Sequence, residues 1–130
     1  VEKLELVHRF YDDMLNRRKL ELAEELLTPD VVLHGPEDRH GPEAVTAVDA
    51  FLRPAFPDLR FDVEDVLVQG EKAAIRWTMH ATHTGEFLGI APTGRTIALR
   101  ANVFFAFRGD RIAELWPVID IAGLRGQLDQ

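Results

Sequence analysis

Ile97-Ala98-Leu99-Arg100-Ala101-Asn102-Val103-Phe104-Phe105-Ala106-Phe107, the connection Arg108-Gly109-Asp110, and the run from Ile112 to Ile121 decide the fold class. Both runs are rich in β-branched and aromatic residues, and the glycine-centred triplet predicts a hairpin between them. The same strand character extends upstream. Ala73 to Thr84 predicts another strand, and Phe61, Val63, Val66 and Val68 predict one that runs to a turn at Gly70. Gly85 to Arg95, which holds Gly85, Gly89, Pro92 and Gly94, reads as a longer ordered turn. In the last strand, alternation puts Leu115, Pro117 and Ile119 on one face and Ile112, Glu114, Trp116 and Asp120 on the other.

Before residue 60 the period is helical. Leu4, Val7, Phe10, Tyr11, Met14 and Leu15 form the apolar face of a helix over roughly 2 to 17. Leu20, Leu22, Ala23, Leu26 and Leu27 predict a second helix that ends before Pro29, and Val31-Val32-Leu33 a short buried strand. A third helix starts at Gly41-Pro42 and is closed by Pro54, with Ala44, Val45, Val48, Phe51 and Leu52 as its apolar positions. Leu124, Gln127 and Leu128 add a terminal helical turn. Three N-terminal helices followed by longer strands predict an α+β domain, in which a curled mixed or antiparallel sheet wraps the helices as a cone-shaped barrel. Such a barrel leaves a conical cavity suited to a small molecule.

The 130 residues form one domain, 1–130, with no repeat or linker. With 15 Lys and Arg against 22 Asp and Glu, the net charge is −7, which repels nucleic acid and acidic membrane surfaces. No long uninterrupted apolar run crosses a membrane, and no signal-peptide pattern opens the chain, so the cytoplasm is the expected compartment. The chain has neither cysteine nor serine, which removes thiolate and serine nucleophiles together with disulfides and zinc-thiolate sites. His80 and His83 lie three apart on a strand and point to opposite faces. With His34 and His40 in a loop, no metal triad forms.

Among the remaining groups, Asp120 between Ile119 and Ile121 has the surroundings of a carboxylate with a raised pKa, fit to act as a base, or equally of a helix cap. His34 ends a buried strand near the expected cavity mouth, as an acid/base group or a hydrogen-bonded structural residue. His83 is a turn lock or a ligand contact, and Arg76 receives a ligand oxygen or pairs with Glu64 or Glu114. Asp120 and His34 are therefore the candidate catalytic residues. Tyr11, Met14, Arg76, His83, Val103, Phe105, Trp116 and Pro117 are the candidate contacts to a hydrophobic small molecule. Trp116 is expected to be mostly buried.

Several segments together resemble the SnoaL-like polyketide cyclases of the nuclear-transport-factor-2-like superfamily, over nearly the full chain. They are Leu6-Val7-His8-Arg9-Phe10-Tyr11, Asp30-Val31-Val32-Leu33-His34, Phe56-Pro57-Asp58-Leu59, Thr82 to Phe87 with Gly89 to Gly94, and Gly109 to Ile112 followed by Trp116, Asp120 and Gln127-Leu128. The resemblance implies a cone-shaped pocket for a ring-shaped hydrophobic ligand, cofactor-free and metal-free acid/base proton transfer, and a homodimer. It also places the cyclases' catalytic aspartate at Pro117, a histidine at Val103 and a glutamine at Ala101. Proline cannot titrate. The expectation is thus divided between a cyclase or isomerase that uses Asp120 or His34 and a non-catalytic ligand-binding or dimerisation domain.

Overall fold

The computed structural model describes residues 2–129. Helix α1 (Lys3–His8) runs directly into a π-helical stretch, Arg9–Asn16, closed by the Arg17 amide donating to the Asp12 carbonyl at 3.1 Å. Its buried residues are Leu6, Phe10 and Met14, and Val7, Tyr11 and Leu15, two series with a strict spacing of four. On an α-helix of 3.6 residues per turn such a series drifts around the axis, and the wider π turn takes up the drift. Leu6, and not Leu4, is therefore the inward residue of the first turn; Leu4 is 45% exposed.

A short helical turn, Leu20–Leu22, leads into α2 (Ala23–Leu26), and the chain is already extended at β1 (Leu27–Leu33). The second helix is shorter than its leucines predict because the Thr28-Pro29 segment belongs to the strand. Pro29, which has no amide hydrogen, sits where the β1 register against its neighbour breaks between Leu27 and Val32. A two-residue strand, β2 (Arg39–His40), pairs with β1, and Gly41 at φ 91° turns the chain into α3 (Pro42–Leu52). Then come β3 (Arg60–Gln69), β4 (Lys72–Thr82), β5 (Thr96–Arg108), β6 (Arg111–Ile119) and α4 (Ile121–Leu128).

The six strands form one sheet in the order β2-β1-β6-β5-β4-β3, with β1 parallel to β6 and every other pair antiparallel. The α+β class and the mixed, helix-wrapping sheet agree with the sequence reading. Two bulges adjust its details. Between Val63 and Asp65 the register shifts, so Val63 faces Trp77 while Val66 and Val68 pair with Ile75 and Ala73. Between Ala106 and Phe107 a second shift puts Ile112 opposite Phe107 and Leu115 opposite Phe105. Ile112 is consequently fully buried and does not share the outer face with Trp116 as simple alternation predicts.

The long turn after β4 is pinned at its base. The His83 amide donates to the Arg95 carbonyl, Gly94 donates back to the His83 carbonyl, and Thr84 and Gly85 both donate to the Ala55 carbonyl. Gly85 is required there, because a Cβ would collide with the Pro54 carbonyl oxygen. Helix α4 is tied down by the Gln127 side chain, which bonds both the amide and the carbonyl of Ala98 at 2.8 Å, and by Arg95, which donates to the last carbonyls of the helix. No helix among the described residues is long and apolar enough to cross a membrane.

Candidate functional site

The concave face of the sheet and the helices enclose a cavity of about 660 Å³. From the helices come Phe10, Tyr11, Leu15, Val45 and Leu52; from the sheet come Phe61, Trp77, Leu99, Val103, Leu115, Pro117 and Ile119; and from the pinned turn comes Phe87. Leu115, Pro117 and Ile119 point inward together, as alternation predicts for adjacent odd positions of β6. The exposed lining residues mark the mouth. They are Gly35, Pro36 and Glu37 of the β1–β2 connection, Arg39 of β2, Val48 and Phe51 of α3, and Ile121 of α4.

Buried polar groups on this wall are few. Burial pushes the Tyr11 phenol far above its ordinary range, opposed by a hydrogen bond to Trp77. An indole nitrogen can only donate, which is why Trp77 acts against that rise. The π-helical stretch puts Tyr11 there, edge-on to Phe10 at 4.9 Å, and Phe61 packs edge-on to Trp77 at 4.8 Å. Asp49 of α3 also reaches the wall, but its carboxylate is held by Arg53 Nε at 3.0 Å and by an Arg18 terminal nitrogen at 3.0 Å. It is a neutralised structural carboxylate. Asp49 is not among the sequence candidates, although the Asp49/Arg53 spacing of four on a helix is a pairing signal.

His34 borders the mouth, but its imidazole is turned toward the outward-facing side chains of β6. Its amide donates to the Leu115 carbonyl at 2.9 Å, its Nε2 lies 3.0 Å from Glu114 Oε1, and its Nδ1 lies 3.1 Å from Asp38 Oδ1. The hydrogen bond to Glu114 is the main cause that raises its pKa; burial opposes it, and Asp38 adds a smaller rise. The imidazole stacks on Trp116 at 4.7 Å, the planes 6° apart.

Of the ten sequence candidates, His34, Tyr11, Val103 and Pro117 line the cavity, and six do not. Asp120 is exposed and caps α4, its Oδ1 accepting from the Gly123 amide at 2.8 Å, so its carboxylate is used on the helix and not aimed inward. Arg76 has the outward parity of β4 and pairs with Asp65 and Glu64. His83 is fully buried and locks the turn, its Nδ1 accepting from the Thr93 amide at 3.2 Å. Phe105 has the inward parity of Val103, but the rings of Phe10 and Tyr11 close on it at 5.7 and 6.1 Å and leave no space. Met14 is packed into the core at no exposure. Trp116 faces outward, half-buried between His34 and the Lys72 ammonium, which sits 5.6 Å from its ring.

A model of the SnoaL-like polyketide cyclase family matches residues 5–128. The chain belongs to that family. Among solved structures it resembles IdmH from Streptomyces antibioticus at 28% identity over the full length of both chains, with a TM-score of 0.90. A protein of Acidithiobacillus ferrooxidans aligns at 27% identity over 97% of this chain and 93% of its own, with a TM-score of 0.86. A SnoaL-like polyketide cyclase of Agrobacterium tumefaciens, at 23% identity over 98% and 99% and a TM-score of 0.81, shares the fold. No curated protein matches the chain. Within this family the chain has Pro117 on the cavity wall and no carboxylate beside it on the inward face of β6, where Leu115 and Ile119 flank it.

Proposed function

We propose that this chain binds an apolar, ring-bearing small molecule in the cavity and holds an oxygen of that ligand on the Tyr11 hydroxyl. The observation that carries the reading is the composition of the wall: aliphatic and aromatic side chains surround one buried phenol, that of Tyr11. Burial keeps that phenol protonated, so it acts as a donor and not as a base. Pro117 argues against carboxylate-driven ring closure of the kind the family resemblance implies.

The test uses dimethylaminonaphthalene carrying an acetyl group, whose emission shifts to the blue in apolar surroundings, and the analogue with ethyl in place of acetyl. The expected result is saturable binding with a preference for the ketone, and Tyr11→Phe weakens the ketone by roughly two- to tenfold, the net worth of one hydrogen bond. Absence of blue-shifted binding overturns the pocket reading. Equal affinity for ketone and ethyl analogue overturns the role of Tyr11.

A further inference from the structure

We infer that the ligand is longer than the cavity, and that an apolar extension of it leaves the mouth over a sill made by Val48, Phe51 and Ile121. This rests on the cavity being a ligand site. The three side chains line the cavity and are at the same time 37%, 60% and 39% exposed, so apolar residues of the wall also reach the outside.

The helix pattern explains how they come to be there. Helix α3 buries Ala44, Val45, Asp49 and Leu52, and Val48 and Phe51 stand on the flank of that stripe, widening it beyond what the core covers. Phe51 is steadied by the buried Phe87 ring at 5.6 Å, and Ile121 is placed by the Asp120 cap at the start of α4. The other exposed lining residues are Gly35, Pro36, Glu37 and Arg39, none of them a large aliphatic or aromatic side chain. An apolar chain that emerges from the cavity therefore finds its most favourable surface at Val48, Phe51 and Ile121. Three side chains fall well short of the roughly 800 Å² per partner that a stable protein interface buries, which favours a small-molecule tail over a second protein as the occupant. The substrate class that fits is a ring system with an acyl or alkyl extension, the ring inside and the extension along α3.

The experiment uses the same dye with acetyl, butanoyl and octanoyl chains, titrated into the wild-type protein and into Val48→Ser and Phe51→Ser. Affinity is expected to rise with chain length, by up to about fourfold per methylene where a methylene is fully covered and less on an open sill. Each substitution is expected to cut the ratio of octanoyl to acetyl affinity, Phe51→Ser by about tenfold, with the melting temperature of each variant confirming that it is folded. Affinity that does not depend on chain length, or a ratio that survives both substitutions, overturns the inference. Octanoyl dye that binds only with a rise in sedimentation coefficient also overturns it, because the sill is then a contact between proteins. If none of the dyes binds, the pocket reading fails first and the inference falls with it.

Discussion

At the scale of single residues, the site is governed by which ionisable groups already have partners. His34 is held between Glu114 and Asp38, and its folded pKa stands above the ordinary 6.5. The stability this contributes is fully present below that ordinary value and is lost as pH rises through the raised one. Glu114→Gln removes the larger cause. The His34 resonances in a proton NMR titration should then move their midpoint down toward 6.5, and the fall in stability on the alkaline side should flatten; an unmoved midpoint would assign the shift to Asp38. Pro117 gives the converse case. An aspartate placed there, between Leu115 and Ile119 on the cavity wall, would have its pKa raised from about 3.9 by lost solvation. Its cost to stability is absent below about 3.9 and grows with pH until the folded-state pKa is passed. Carbon-13 labelling of the Pro117→Asp carboxyl reads that pKa directly, and a value near the exposed reference would mean the position is wetter than its neighbours indicate. Neither Tyr11 nor Asp49 could be read this way from sequence. The setting of Tyr11 depends on Trp77, and the second ion pair of Asp49 on Arg18, both brought together only by the fold.

Secondary-structure elements were legible where one period holds and illegible where it changes within an element. The strands from Arg60 to Ile119 and helix α3 follow their patterns closely. The bulge in β3 was also visible, since Phe61 and Val63 are followed by Val66 and Val68 with the parity reversed. The bulge opposite Ala106 was not, because Ile112 and Leu115 look like members of opposite faces until the extra residue between them is known. Glycines give a direct test of the elements they join. Gly85→Ala puts a methyl against the Pro54 carbonyl in the pinned turn and should cost about 1–3 kcal/mol, as overpacking against backbone does. Gly126 lies inside α4, where a Cβ would meet nothing within 4 Å, so Gly126→Ala should stabilise by up to about 1 kcal/mol through helix propensity. Thermal melts of the two variants moving in opposite directions are the expected outcome, and a neutral Gly85→Ala would show that the turn yields.

On the scale of the whole molecule, the helices fill one side of the sheet and leave the other to solvent. Cross-strand register places Leu67 beside Ala74, Ala74 beside Phe104, and Phe104 beside Trp116, an apolar row across four strands on the outer face. Leu67 is 74% and Phe104 57% exposed, and Val118 on the same face is 73% exposed. A row of this kind on a 14.7 kDa domain is an exposed apolar strip of the sort that marks a protein contact. A second copy of the chain, related by a twofold axis so that the row meets itself, is the occupant we propose. Phe104 is the substitution that separates this from a fold effect, since it lies outside the core and its neighbours Val103 and Phe105 carry the packing. Wild-type protein should sediment at twice the mass of one chain at micromolar concentration, and Phe104→Glu should sediment as a monomer with an unchanged circular dichroism spectrum, because two like charges would be buried against each other across the axis. A wild-type monomer under those conditions would leave the row as an exposed face of the sheet and refute the dimer, while the cavity, which opens on the opposite side of the sheet, would keep all of its lining residues.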